Sequence, residues 1–184
     1  MELQELISEA KKGCKAAQEA LFSRLSDNFL SLCNRYVKNE ADAEERMLDG
    51  FYKFFRALPQ FRYESDAAVY ACLTRIMVNE CIMQLRKKRV FNIVAEPLEK
   101  DAILNEDLLD KIAAAEIHAL IRKLPVGART IFNLHAIEGC RHDEIARLLG
   151  ITAGTSRAQL ARARALLQQS ISFLKKDYEN KESK

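Results

Sequence analysis

The stretch Asp143-Glu-Ile-Ala-Arg-Leu-Leu-Gly-Ile-Thr-Ala-Gly-Thr-Ser-Arg-Ala-Gln-Leu-Ala-Arg-Ala-Arg164 decides the fold. Two helical segments meet in it at Gly150, a residue that tolerates the positive φ needed to leave a helix. Ile145 and Leu149 give the first segment an apolar face. Thr152 can cap the second segment, because its hydroxyl can accept an unpaired backbone amide. The pattern predicts a helix-turn-helix, whose second helix can enter the major groove of DNA.

The second helix of this pattern has a buried stripe and a basic face. Leu160, Ala163 and Leu167 form the stripe, so Arg157, Arg162 and Arg164 point outward, although a basic face alone is often only solvated. Arg157 and Arg162 are the candidates for base contacts, and Arg164 and Gln159 are candidates for phosphate contacts or for packing. We expect ten residues at the DNA surface: Arg141, Thr152, Gly154, Thr155, Arg157, Ala158, Gln159, Ala161, Arg162 and Arg164.

Helical spacing of apolar residues continues almost throughout the chain, with no convincing alternating strand. Pro59 and Pro125 follow apolar stripes, where helices should stop or start. Between residues 90 and 107 the period is lost and acidic residues accumulate. The sequence therefore predicts an all-α protein: two small helical domains, 1–89 and 108–178, a flexible acidic linker, 90–107, and a tail, 179–184.

Charge and composition narrow the function. The chain has 184 residues and a net charge of +3, divided as +2 over residues 1–89, −5 over 90–117 and +6 over 118–184. No apolar run reaches the roughly 20 residues needed to cross a bilayer, and the first residues do not resemble a signal peptide, so we expect a cytoplasmic protein. The five scattered cysteines favour buried reduced thiols over a metal site. The chain shows no catalytic constellation, so we expect neither an enzyme nor a cofactor.

The chain resembles the extracytoplasmic-function sigma factors, the minimal two-domain group of bacterial sigma factors. The C-terminal resemblance lies in Leu124-Pro125, Glu138-Gly139, Glu144-Ile145-Ala146, Leu149-Gly150-Ile151, Gly154-Thr155 and Arg162-Ala163-Arg164. The N-terminal resemblance lies in Asp42-Ala43-Glu44-Glu45, Phe51, Phe54-Phe55, Leu73, Arg75-Ile76, Asn79 and the cluster Arg86 to Arg89. The resemblance implies a factor that binds core RNA polymerase and directs transcription initiation at promoters.

The resemblance also implies a division of labour. The first domain would bind polymerase and would recognise and melt the −10 element, and the second domain would recognise the −35 element as duplex DNA. The implied −10 residues are Phe61, Arg62, Tyr63, Asn79, Arg86, Lys87, Lys88 and Arg89. The implied polymerase-binding residues are Asp42, Glu44, Glu45, Asp49, Phe51, Tyr52 and Phe55. The alternative interpretation of Phe61 and Tyr63 is ordinary packing in the hydrophobic core.

Several positions depart from the family pattern. Arg46, Leu48 and Gly50 differ in the polymerase-binding helix, and Cys72 stands where a tryptophan is usual. These departures leave open a role for another protein that recruits the factor to DNA, and factors of this class are commonly held inactive by an anti-sigma protein. The alternative function is a stand-alone helix-turn-helix regulator, which would bind duplex DNA as a dimer without polymerase.

Overall fold

The computed structural model describes residues 2–87 and 114–182, with side chains in the second range described from 116 to 174. The chain divides into two compact units, Met1–Lys88 and Arg89–Lys184. The described residues form eight α-helices and no strand, which confirms the predicted all-α class. The helices are α1 (Leu3–Lys11), α2 (Lys15–Tyr36), α3 (Glu40–Ala57), α4 (Asp66–Lys87), α5 (Ala114–Lys123), α6 (Val126–Phe132), α7 (His142–Leu149) and α8 (Ala153–Glu182).

The first unit packs α1 to α4 around a core rich in aromatic rings. Phe51 lies at its centre, with its ring centroid 4.9 Å from that of Phe22 and 6.0 Å from that of Phe29. Edge-to-face contacts of this kind add to the hydrophobic stabilisation that burial provides. Asn39 caps α3, since its side chain accepts the Asp42 amide at 3.0 Å.

The second unit packs α5, α6 and α8 around an aliphatic core. Its buried members are Leu120, Ile121, Leu124, Ala128, Ala163, Leu167 and Ile171. The predicted stripe of α8 therefore faces this core. After α6 the backbone continues through one wide π turn, Asn133–Ile137, before α7 begins.

One expectation from the sequence was wrong, and some others concern residues outside the described ranges. Helix α8 extends to Glu182, into the residues predicted as a tail, because no proline or glycine interrupts its last turns. Cys14 is exposed, whereas Cys33 and Cys81 are buried as expected, since Cys14 precedes α2 outside the core. The acidic linker 90–107, Lys88 and Arg89 lie outside the described residues.

Candidate nucleic-acid and polymerase interfaces

The turn between α7 and α8 has the geometry that the sequence predicts. Gly150 adopts φ 70° and ψ 36°, and its amide donates to the Ala146 carbonyl at 2.9 Å. The Thr152 hydroxyl accepts the Thr155 amide at 3.0 Å, which caps the first turn of α8. A left-handed glycine and a hydroxyl cap together redirect the chain within three residues. The start of α8 is therefore fixed relative to α7.

The start of α8 offers a surface of small and basic residues. Arg157 and Gly154 are exposed, whereas Arg162 and Arg164 are half-buried. Ala158 and Ala161 are also half-buried, so little side-chain bulk separates this face from an approaching groove. Two further residues of the predicted DNA surface are Thr155, half-buried beside its cap, and Arg141, exposed before α7.

Gln159 is a correction to the predicted DNA surface. It is buried in the second unit with 7% of its surface exposed, so its side chain does not face a DNA groove. Position 159 lies beside Leu160 on the side of α8 that turns towards the core. The packing role that the sequence left open for Gln159 is the one that the structure favours.

A pair of histidine rings, which no sequence pattern predicts, lies beside this surface. The rings of His135 and His142 stack, with centroids 4.4 Å apart and 14° between their planes. His142 Nδ1 lies 2.9 Å from the hydroxyl oxygen of Ser156, a fully buried residue in the first turns of α8. Partial burial, followed by the nearby His135 and Arg157, lowers the pKa of His142. These surroundings favour the neutral form of the ring.

In the first unit, the candidate −10 residues around Phe61 form the loop between α3 and α4. Phe61 is half-buried against Phe54, with ring centroids 5.9 Å apart, and its carbonyl accepts a 2.6 Å hydrogen bond from Lys11 Nζ. The Tyr63 hydroxyl donates to Asp66 Oδ1 at 2.5 Å, and this bond raises the pKa of Tyr63. Arg62, between them, is exposed. Two aromatic rings thus flank an exposed guanidinium on a loop that α1 helps to hold.

The other candidate −10 residues lie on α4. Asn79 is half-exposed in the second half of the helix, and Arg86 and Lys87 are exposed at its end. Positive charge at a helix C-terminus is also favourable for the helix itself, because it compensates the dipole. Arg86 and Lys87 therefore lie on the same helix as Asn79.

Helix α3 presents an exposed apolar stripe with acidic neighbours. Leu48 and Tyr52, four residues apart, are 48% and 62% exposed, and Phe55 is half-buried one turn further on. Arg56 lies over the Tyr52 ring at 5.7 Å from its centroid. The acidic neighbours are Asp42, Glu44, Glu45 and Asp49, of which Asp49 pairs with Arg46 at 3.0 Å. Exposed apolar rings of this kind are typical of a protein-binding surface.

Phe51 is a correction to the predicted polymerase-binding set. Only 2% of its surface is exposed, and it packs among the rings of the first unit. The residue next to it in sequence, Tyr52, is the exposed one, because successive residues of a helix point about 100° apart. Phe51 therefore supports α3 from within and does not reach a partner.

The departures noted in α3 have structural explanations. A Cβ atom added at Gly50 would lie 2.1 Å from the Met77 sulfur, so glycine allows α3 and α4 to pack closely without interrupting α3. The Arg46 side chain is largely buried and pairs with Glu45 and Asp49. On the facing helix, the buried Glu80 accepts a 2.5 Å bond from Lys53. The Lys53–Glu80 pair joins α3 to α4 by charge as well as by apolar contact, whereas the pairs of Arg46 lie within α3.

The described residues contain neither a metal-binding group of side chains nor a membrane-spanning helix. Within residues 2–87 and 114–182, no three His, Cys, Asp or Glu side chains are grouped so that they could hold a metal ion. Over the same described ranges, no helix has the length and hydropathy that a bilayer crossing requires.

Comparison with known proteins identifies the family. Residues 21–90 match the family description sigma-70 region 2, and residues 114–167 match sigma-70, region 4. The RNA polymerase sigma-H factor of Pseudomonas aeruginosa is 30% identical over 91% of this chain and 93% of its own length. The ECF RNA polymerase sigma-E factor of Haemophilus influenzae is 30% identical over 91% and 94%. The chain belongs to the extracytoplasmic-function sigma factors.

A further relative agrees with this membership at slightly lower identity. ECF RNA polymerase sigma factor SigM of Mycobacterium tuberculosis is 29% identical over 92% of this chain and 85% of its own length. Among solved structures, CnrH in complex with the cytosolic domain of CnrY covers 91% of this chain and 95% of its own, with 23% identity and a TM-score of 0.48.

Membership decides between the two predicted functions. The matches span both units, whereas a stand-alone helix-turn-helix regulator accounts only for the second. The sigma factor prediction is confirmed, and the regulator alternative is not favoured. As a sigma factor, the protein binds core RNA polymerase and promoter DNA to direct transcription initiation.

Proposed function

We propose that the two units of this sigma factor divide promoter recognition between them. The first unit binds core polymerase through α3 and opens the −10 element with the loop around Phe61 and with α4. The second unit recognises the −35 element as duplex through α8. Promoter recognition takes place in the bacterial cytoplasm, and the sigma factor itself catalyses no reaction.

The proposal for the second unit is supported most strongly by the geometry at the start of α8. Thr152 and Gly150 fix the direction of the helix, and the exposed Arg157 projects from its first turns. An arginine can donate two hydrogen bonds to the edge of a guanine in the major groove. Small residues on the same face allow the helix to approach the bases, and Arg141 before α7 is suited to phosphate.

The proposal for the −10 element is supported by the surroundings of Phe61 and Tyr63. Single-stranded bases bind by stacking on aromatic rings beside positive charge. Here two partly exposed rings flank Arg62, and Arg86 and Lys87 supply further positive charge at the end of α4. Asn79 carries an amide that can pair with the edge of an unstacked base.

The proposal for polymerase binding is supported by the exposed stripe of α3. Leu48 and Tyr52 offer apolar surface, and Glu44 and Glu45 beside them offer negative charge to a basic partner. Aromatic residues surrounded by charged ones are typical of residues that dominate binding energy. The family resemblance suggests an anti-sigma protein as a further partner of this surface, and the departures from the family pattern suggest a recruiting protein as a further partner of the factor.

The −35 assignment is tested by Arg157→Ala. We expect the substitution to weaken binding of the polymerase-bound factor to promoter DNA by about 1–3 kcal/mol and to relax base choice at one position. Binding is measured by titration against promoters with each base substituted in turn. Arg147→Ala, an exposed arginine on α7, is the matched control and should leave base choice unchanged. Unaltered base choice in Arg157→Ala would remove this residue from −35 recognition.

A further inference from the structure

The stacked rings of His135 and His142 connect three elements of the helix-turn-helix unit. His135 belongs to the wide turn after α6, and His142 is the first residue of α7. With 4.4 Å between centroids and 14° between planes, the rings lie face to face. The bond from His142 to Ser156 adds α8 to this arrangement.

The hydrogen bonds of the two rings fix how each is held. His135 Nδ1 lies 2.9 Å from the Cys140 carbonyl oxygen, and because a carbonyl only accepts, this nitrogen carries a proton. His142 Nδ1 lies 2.9 Å from the Ser156 hydroxyl oxygen, and Ser156 has no exposed surface. Ser156 immediately precedes Arg157, the candidate for a base contact. His142 therefore connects the start of α7 to the turn of α8 that presents Arg157.

The charges around His142 oppose its protonation. Arg157 and Arg164 of α8 and His135 of the wide turn face the ring with positive or potentially positive groups, whereas Asp143 of α7 is its acidic neighbour. Partial burial is the largest cause of the lowered pKa, and the cationic neighbours outweigh Asp143. A proton added to this ring would therefore be repelled by the arginines of the DNA surface.

We infer that His142 is a positioning residue for −35 recognition: its neutral ring, held between His135 and Ser156, sets the first turns of α8, and its protonation lowers the selectivity for the −35 sequence. The inference rests on the proposed recognition of the −35 element by α8. It adds to that proposal a proton-dependent step and a residue that does not itself contact a base.

Two effects of protonation on DNA binding oppose each other. An added positive charge near the DNA surface attracts phosphates of any sequence, which strengthens binding generally. Repulsion between the protonated ring and the arginines of α8 shifts Arg157, which weakens only base-specific binding. The ratio of affinities for an intact and a scrambled −35 element cancels the first effect. This ratio is the quantity that reports on His142.

The test uses the full chain bound to core RNA polymerase. The probes are two promoter duplexes that share one −10 element and differ in having an intact or a scrambled −35 element. From about pH 7.5 to about pH 5.5, we expect the affinity ratio of the wild-type factor to fall about fivefold, the equivalent of one hydrogen bond. His142→Asn keeps a polar group near the position of Nδ1 but does not titrate, so its ratio should stay high at both pH values.

Two further variants keep the test specific. Ser156→Ala leaves both rings in place but removes the link, so its ratio should be low already at pH 7.5 and should change little with pH. His118→Asn, at an exposed histidine of α5, should behave as the wild type does. Circular dichroism at both pH values shows that each variant is folded.

The possible outcomes separate this inference from the proposed function. A wild-type ratio that does not change with pH, or a His142→Asn ratio that still falls at low pH, would overturn the role of His142. A wild-type ratio near one at pH 7.5 would instead contradict −35 recognition by this factor, and the inference with it.

Discussion

The two units of this sigma factor bury different kinds of side chain. In the first unit the core contains the aromatic rings of Phe29, Tyr36, Phe51 and Phe54. In the second, the buried hydrophobic residues that the structure describes are all Leu, Ile or Ala, beside polar groups that include Arg129, Thr130, Asn133 and Ser156. The first unit therefore depends on ring packing to shape its partner surface, whereas the second depends on individual polar atoms to aim one helix.

This difference determines which substitutions should damage which unit. A core packed with rings loses several kcal/mol when one ring is removed, because the cavity does not fully collapse. A helix aimed by a hydroxyl or an imidazole loses direction with little change in stability, since one hydrogen bond contributes only about 1 kcal/mol. Folding should be the sensitive property of the first unit, and sequence selectivity that of the second.

The largest effect is expected for Phe51→Ala in the first unit. Removing this central ring should lower the free energy of unfolding of the first unit by about 3–5 kcal/mol, through lost burial and a residual cavity. Hydrogen exchange of the full chain, followed by mass spectrometry, measures each unit separately. Peptides from α5 to α8 should keep their protection. Equal loss of protection in both units would contradict the comparison.

The neighbouring substitution, Tyr52→Ala, should have the opposite signature. The ring is 62% exposed, so we expect a change in unfolding free energy within about 0.5 kcal/mol. The affinity of the Tyr52→Ala factor for core polymerase should fall roughly thirtyfold, which corresponds to about 2 kcal/mol of binding free energy. Aromatic residues at the centre of an interface typically contribute this much. Fluorescence titration of labelled factor with core enzyme measures this change. Undiminished affinity would remove Tyr52 from the polymerase-binding surface.

The smallest effect is expected for Thr152→Ala in the second unit. Loss of the cap leaves the Thr155 amide without its acceptor, which should cost about 1 kcal/mol of local stability at the start of α8. Exchange of the amides at the start of α8 should accelerate about fivefold, while −35 selectivity falls. Thr152→Ser keeps the hydroxyl and should restore both. Unchanged selectivity in Thr152→Ala would show that the cap does not aim the helix.

The features that the sequence predicted correctly are those set by neighbours along the chain. The cap at Thr152 and the turn at Gly150 each depend on residues within four positions, so local pattern was sufficient. The function was predicted from the family resemblance, because periodicity and charge alone only reduced the number of possible functional classes.

The features that the sequence did not predict depend on tertiary packing. Phe51 and Gln159 were assigned to surfaces, but which side of a helix is buried follows from the helices packed against it. The stacking of His135 on His142 and the bond from Lys11 to Phe61 join residues 7 and 50 positions apart. No local pattern marks such pairs. A scan for polar residues on the buried stripe of α8 would have drawn attention to Ser156.

The division of promoter recognition between the two units is tested most directly by transcription from a promoter library randomised at both elements. Core polymerase with the wild-type factor should select one sequence at −35 and one at −10. With Arg157→Ala, choice should relax at one position of the −35 element, while the selected −10 sequence stays the same. The account would be contradicted if Arg157→Ala altered the −10 sequence, or if the factor selected DNA equally well without polymerase.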